Sequence, residues 1–362
     1  MLNWLLIFVP IAAGLHYFRP ESHALIFLAA SVAIIPLAGW MGTATEHLAA
    51  KTGEGIGGLL NATFGNAAEL IIALVALNKG LYDVVKASLT GSIIGNLLLV
   101  LGASILAGGL KFETQQFNAK GARTQATTLT LAAIALILPA AFHYLSQPAN
   151  ILLENDLSLD ISIVLLLTYA LSLWFTLRTH TEFFMTETAG AHAEQHDGHG
   201  QWSTTKAVAV LAGATALIAW ISEMLVGSVE QTAEQFGMSS IFVGVIVVAI
   251  VGNAAEHSTA IVVARKNRMD LSLSIAVGSS IQIALFVAPL LVLASRFIGP
   301  KPMDLVFSPA EVLAVALSVA VAGQITGDGE SNWLEGAQLL VVYIIIGIVF
   351  FFLPDAPGVA GH

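Results

Sequence analysis

The stretch GNAAELIIALVALNKG, Gly65 to Gly80, decides how this chain is read, because its first five residues return as Gly252-Asn253-Ala254-Ala255-Glu256. Both copies lie inside long apolar segments. A carboxylate at the centre of a membrane helix costs about 2.5–3.5 kcal/mol or more, so such residues mark function. Two of them in matching contexts, Glu69 and Glu256, point to two repeats meeting around a buried pair of carboxylates, and hence to a cation site.

Composition sets the class. The 362 residues are 56% hydrophobic and only 10% charged, where a soluble domain carries about 25% charge. The chain reads as an integral membrane protein with the lipid bilayer as its solvent. A net charge of −10 argues against nucleic acid as a partner and suits surfaces that attract cations. There is no cysteine, which excludes disulfides and thiolate metal sites. The apolar N-terminus lacks the basic flank of a signal peptide and reads as a retained helix.

Eleven apolar runs are long enough to mark membrane helices, near 2–18, 23–47, 56–78, 82–108, 123–146, 159–178, 205–229, 239–264, 271–297, 308–326 and 332–353. With the N-terminus in the cytosol, the inner loops hold Lys51, Lys111, Lys120, Arg123, Arg178, Lys206, Arg265, Lys266 and Arg268. The outer loops then hold Arg19, Lys79, Lys86, Arg296 and Lys301. This excess of inner positive charge places the N-terminus inside and the C-terminus outside.

From Gly65 to Ser92 the first copy aligns without a gap to Gly252 to Ser279, with matches at Ala73/Ala260, Val75/Val262, Lys79/Lys266, Asp83/Asp270 and Gly91-Ser92/Gly278-Ser279. The copies fall on the third and eighth helices. Five helices apart means opposite orientation, an inverted-topology repeat of the kind common in secondary transporters. The expected architecture is all-α: an extra N-terminal helix in residues 1–22, a first five-helix repeat in 23–178, a polar connector in 179–203 and a second five-helix repeat in 204–362. The connector holds Glu182, Glu187, Glu194 and Asp197, a candidate regulatory segment. Its His192, His196 and His199 have a spacing that suits a transition metal, but lack the fixed surroundings such a site needs.

On a helix, Asn66 and Glu69 share a face, as do Asn253 and Glu256. Gly65 and Gly252 weaken the helix one turn before each glutamate. Unwinding there frees backbone carbonyls as cation ligands, which membrane depth tolerates around a cavity. The next helix opens with Gly91-Ser92 and Asn96 in one copy, and Gly278-Ser279 and Gln282 in the other. Two carboxylates with amide, hydroxyl and carbonyl oxygens form an all-oxygen set, which suits a hard cation such as Ca2+ better than Zn2+ or Cu2+. Two close carboxylates in low dielectric do not easily both stay ionised, so protons compete with the metal for the same oxygens. Replacement of one by the other is the minimal mechanism of an exchanger, and each pH unit is worth about 1.36 kcal/mol per proton.

The strings GNAAELIIALVALNKG, GSIIGNLLLVLG and GNAAEHSTAIVVARKNRMDLSLSIAVGSSIQIALF resemble the cation/proton exchangers of the Ca2+:cation antiporter superfamily. The resemblance covers nearly the whole chain. It implies eleven helices, with two inverted five-helix repeats after the extra one, and Ca2+/H+ exchange. It implies Glu69 and Glu256 as ligands and proton carriers, and roles around them for Asn66, Asn253, Ser92, Ser279, Asn96 and Gln282. Sodium-coupled relatives resemble a hydroxyl- and proline-containing approach to each glutamate; Asn-Ala-Ala in both copies favours protons.

Other residues extend the expectation. His257, beside Glu256, is a candidate proton acceptor. Glu46, Glu223 and Glu230 lie near the ends of apolar segments and are candidates for the entry vestibules, with solvated helix-end charge as the plain alternative. Glu154, Asp156 and Asp160 read as an outer acidic loop. A channel is disfavoured because channel selectivity usually comes from rings across subunits. No nucleophile constellation, phosphate loop or cofactor fingerprint suggests an enzyme. The expected cofactor is none, with Ca2+ as transported substrate. The expected partners are Ca2+, H+ and the bilayer, with a homo-oligomer left open. A chain this short at its N-terminus suits a prokaryotic plasma membrane better than a vacuolar one.

Overall fold

The protein is described by a computed structural model over residues 3–52, 57, 59, 60, 63–146, 151–180 and 202–353. The connector residues Glu182, Glu187, Glu194 and Asp197 lie outside the described residues, as do His192, His196 and His199. Nearly everything described is helical. Seven helices are long and apolar enough to cross a membrane: α2 (His23–Thr52), α4 (Tyr82–Gly109), α5 (Ala119–Leu145), α6 (Leu152–Thr179), α7 (Thr204–Val226), α11 (Met269–Ala294) and α13 (Trp333–Phe352). A bent pair, α9 (Val243–Gly252) and α10 (Ala254–Ala264), passes the same test as one unit, with a 67° change of direction. Three apolar helices are shorter: α1 (Asn3–Phe18), α3 (Ala67–Asn78) and α12 (Pro309–Ile325). An amphipathic helix, α8 (Val229–Phe236), completes the set.

The outward faces are apolar. Leu131, Leu138, Leu167, Leu171, Ile344 and Ile348 are all exposed, which water does not tolerate over so wide a surface and lipid does. The interior combines large apolar side chains such as Ile34, Leu37 and Leu97 with close contacts at small residues. Gly102 and Gly336 face each other across α4 and α13, and a Cβ on Gly336 would lie 2.3 Å from the Leu106 backbone nitrogen and 2.7 Å from the Gly102 carbonyl. Such backbone approach is how helices gain contact where apolar burial drives nothing, the solvent being apolar already. Around this contact, α2 packs along α7, α3 along α7, α11 against α5 and α6, and α12 against α4 and α5. Two short strands, β1 (Gln115–Gln116) and β2 (Glu330–Ser331), pair antiparallel and join the segment after α4 to the segment after α12.

Four readings of the sequence change. Glu154, Asp156 and Asp160 do not form a loop, since α6 begins ahead of them. Glu154 is 6% exposed and accepts from His143 Nδ1 at 2.8 Å, a pairing that hydropathy does not show. Residues 229–236 are helical where a connection was expected; Val229, Thr232 and Ala233 are buried on one face, and Gly237, at φ +63°, ends the helix. Lys86 is not in a loop but on α4, bonded to Asp304 at 2.6 Å and to the Val306 carbonyl at 2.8 Å. The small-residue stretches do not open their helices: α4 starts at Tyr82 and α11 at Met269, so Gly91-Ser92 and Gly278-Ser279 lie more than two turns inside.

The α4–α13 contact supplies a test. Gly336→Leu places a side chain where backbone now sits, an overpacking cost of about 1–3 kcal/mol or more. The expected outcome is a clearly lowered unfolding temperature in detergent, measured by thermal-shift fluorescence, whereas substitution at Gly14, with no neighbour within 4 Å, leaves it nearly unchanged.

Candidate cation site

Both motifs interrupt a helix at their asparagine. Asn66 stands at φ −101°, ψ 24° just ahead of α3, and Asn253 at φ −97°, ψ 4° between α9 and α10. Helix resumes at once, so Glu69 and Glu256 each sit in the first turn of a new helix, where exposed backbone N–H groups and the helix dipole favour an anion. The first-turn bonds are formed, from Leu70 N–H to Asn66 O and from His257 N–H to Asn253 O, both 3.0 Å.

The two motifs meet. The Glu69 side chain packs on Gly252: a Cβ there would lie 2.9 Å from Glu69 Cγ and 3.8 Å from Glu69 Oε1. Glycine is therefore required opposite the first carboxylate by contact, as well as by the break it opens in the helix. The two carboxylates lie within electrostatic reach of each other.

Each motif asparagine is bonded to the serine of the opposite copy. Asn253 Nδ2 donates to Ser92 Oγ at 2.9 Å and to the Ala249 carbonyl at 3.0 Å. Ser279 Oγ donates to Asn66 Oδ1 at 2.8 Å, and also lies within hydrogen-bonding reach of Glu256. The unequal residues, Asn96 and Gln282, both join the Asn66 side. Asn96 Nδ2 donates to Ser279 Oγ at 3.1 Å, and Asn66 Nδ2 donates to Gln282 Oε1 at 2.6 Å. A continuous chain thus runs Asn96–Ser279–Asn66–Gln282, while the Asn253 amide donates to Ser92 and to a backbone carbonyl. Asn66, Asn253, Ser92, Ser279 and Asn96 are all at most 5% exposed.

Four polar atoms of the two motifs and of the residue following the second are buried with no hydrogen-bond partner among the described residues: Glu69 Oε1, Glu256 Oε2, Asn253 Oδ1 and His257 Nε2. Buried acceptors without partners are costly, and three of these are oxygens on the facing motifs. They are the atoms a cation would satisfy. Gln282 and Asn96 shape the first copy's asparagine, and the most open amide oxygen belongs to Asn253. No cluster of three or more His, Asp or Glu side chains suited to a metal occurs among the described residues, so this centre has two carboxylates and neutral oxygens.

The outer candidates are placed apart from it. Glu46 is half-buried near the end of α2, while Glu223 is exposed near the end of the antiparallel α7 and Glu230 is exposed on α8. Lys51, near the end of α2, reaches the Trp202 carbonyl just ahead of α7, so Glu46 and Glu223 lie toward opposite ends of the α2–α7 pair. The Lys79 ammonium donates to the Glu223 backbone carbonyl at 2.9 Å. One buried acid was not singled out from sequence: Glu311, 3% exposed, accepts from Thr90 at 2.9 Å and from the Ser308 hydroxyl at 2.7 Å. Its signal was readable, since Ser308 and Glu311 have capping-box spacing.

Comparison with known proteins places this geometry. Residues 22–178 and 206–352 match the profile of the sodium/calcium exchanger protein family. A Ca2+/H+ antiporter of Aphanothece halophytica is 47% identical, covering 98% of this chain and 97% of its own. The Ca2+/H+ antiporter ChaA of Bacillus subtilis is 49% identical, over 91% of this chain and 93% of its own. The solved structure of native YfkE superposes with a TM-score of 0.83 at 44% identity, covering 98% of this chain and 100% of that one. The chain belongs to the sodium/calcium exchanger protein family, as a multi-pass integral membrane transporter.

Proposed function

We propose that this protein exchanges Ca2+ for H+ across a membrane by alternating access, with Glu69 and Glu256 binding Ca2+ when ionised and carrying protons when empty of metal. The observation that carries the reading is the convergence of two motif glutamates, each with a buried oxygen that has no hydrogen-bond partner among the described residues, with Glu69 seated on the opposite motif's Gly252. The antiporter names of the relatives from Aphanothece halophytica and Bacillus subtilis support the ion pair exchanged. Two carboxylates balance one divalent charge. The same two groups neutralise themselves by taking protons, so the bundle never has to hold two unpaired anions at membrane depth.

The proposed architecture has eleven crossings, the three shorter helices and the bent α9–α10 unit included, with an extra first helix and two inverted five-helix repeats. Reciprocal packing supports it. The α4–α13 contact has its counterpart in α11–α6, α3–α7 in α10–α2, α12–α4 in α5–α11, and α4–α10 in α11–α3. Local backbone agrees: Gly80 and Asn267 fall at the same repeat position, both left-handed at φ +77° and +61°. A π-helical stretch occurs at matching places, Gly95–Val100 in α4 and Ile283–Val287 in α11. Such stretches gather at functional sites, and these lie just beyond Ser92 and Ser279. The helix interruptions at Gly65-Asn66 and at Asn253 are the hinges of the cycle. His257, with Nε2 buried beside the centre, relays protons, while Glu46 and Glu223 with Glu230 line opposite vestibules. The N-terminus is cytosolic, in a prokaryotic plasma membrane.

Three outcomes test the reading in proteoliposomes. Removing one member of a buried charge set costs about 3–5 kcal/mol, so Glu69→Gln and Glu256→Gln each lower pH-gradient-driven Ca2+ uptake on the order of a hundred-fold or more; near-normal uptake by either rejects the assignment. Acidifying the side from which Ca2+ binds raises the half-saturating Ca2+ concentration, because a protonated carboxylate gives up its metal, by up to about tenfold per pH unit for each proton displaced. A Na+ gradient at clamped pH drives little transport. Finally, Gly252→Ala presses on Glu69 Cγ, at 2.9 Å, and weakens Ca2+ affinity while the protein still folds, read as a smaller Ca2+-induced thermal shift.

A further inference from the structure

The far end of the Glu256 helix is held by a side chain from the other repeat. Gln115, 1% exposed, lies in β1, and its Nε2 donates to the Ala264 carbonyl at 2.9 Å and to Asn267 Oδ1 at 3.0 Å. Ala264 is the last residue of α10, and its carbonyl accepts both the Gln115 amide and, at 3.0 Å, the Asn267 N–H of the turn that follows. The backbone of this segment is itself fixed: β1 pairs with β2, and Phe117 N–H donates to the Gly329 carbonyl at 2.9 Å. Room for the carboxamide comes from Gly108, whose Cβ would lie 1.8 Å from Gln115 Oε1.

The start of α10 is held by the same repeat, through Ser92 on Asn253. So α4 fixes one end of the Glu256 helix and the segment following α4 fixes the other. On the Glu69 helix, α11 holds the start through Ser279 on Asn66. The segment after α11 closes the end by backbone approach, with Gly299 at φ +86° against the Leu77 carbonyl. Among the described residues the α10 end is held by a buried side-chain amide, beside the Lys111 ammonium on the Arg265 carbonyl at 3.1 Å. Glu256 is eight residues from Ala264, about 12 Å along a rigid helix, so a shift at the clamp is delivered at the carboxylate.

We propose that Gln115 is a positioning residue for Glu256: it clamps the end of α10 and thereby sets where the second carboxylate stands relative to the first. The effect on transport rests on the exchange reading; the clamp itself does not. In proteoliposomes, Gln115→Ala, which removes both hydrogen bonds of the amide, raises the half-saturating Ca2+ concentration about five-fold and leaves the maximal rate per folded protein nearly unchanged. Gly108→Ala displaces the same carboxamide and does likewise. The double variant is again about five-fold weaker, since both act through one contact, and not about twenty-five-fold. A fall in maximal rate alone, with Ca2+ dependence unmoved, or multiplicative effects in the double variant, overturns the proposal. The chain has no cysteine, which permits a second measurement independent of transport. Spin labels on Thr124→Cys and Val262→Cys, both exposed positions, report the distance from α5 to α10. The distribution broadens in Gln115→Ala; an unchanged one overturns the clamp. Wild-type protein that takes up no Ca2+ under a pH gradient defeats the exchange reading instead, and the spin-label distance then decides the clamp alone.

Discussion

Two carboxylates in an apolar bundle are the constraint from which the rest of this structure follows. Neither Glu69 nor Glu256 has a basic partner in the described site. Each is instead placed in the first turn of a helix that starts mid-bundle, where backbone N–H groups point toward it. A helix can start there only if the preceding one stops, and stopping needs Gly-Asn. Freed backbone at that depth must in turn be enclosed by protein. The serines of α4 and α11 and the close glycine contacts of α4 are that enclosure.

The two copies enclose their glutamates by exchange. Each asparagine takes its serine from the other repeat, and Glu69 rests on the other motif's glycine. Neither repeat forms half a site on its own. The asymmetry is concentrated on one side: the chain from Asn96 to Gln282 saturates Asn66 and leaves Asn253 with an open carbonyl oxygen. The Asn66 side is the more fully hydrogen-bonded, and Asn253 Oδ1, next to the 67° bend, is buried with no hydrogen-bond partner among the described residues.

Much of this was legible in the sequence because the signals are local and strong. Costly charges, duplicated pentapeptides and long apolar runs survive any averaging window. The bond between Asn66 and Gln282 was not legible, since the sequence marked both residues only as belonging around the glutamates. What escaped depends on partners far along the chain or on helix ends. Glu154 reads as loop because its partner, His143, lies on the neighbouring helix and is not marked by the local sequence. The helix over Val229–Phe236 is short and polar on average, and its three buried residues gain meaning from packing such as that against α2. Gln115 looks like any polar linker residue until Ala264 and Gly108 close around it. The π-helical turns in α4 and α11 have no compositional mark.

The mutual exchange of partners also bears on how the chain is made. The first repeat enters the membrane with Glu69 in place, yet Gly252, Ser279 and Gln282 are synthesised much later. Until then its carboxylate has no seat and Asn66 no second-repeat partner. Biogenesis must therefore shelter a half-built bundle, by lingering beside the insertion machinery or by holding Glu69 neutral and wet at the bilayer edge. Helices α9 to α11 complete the surroundings of both motifs at once, which makes assembly of the transporter cooperative between its halves.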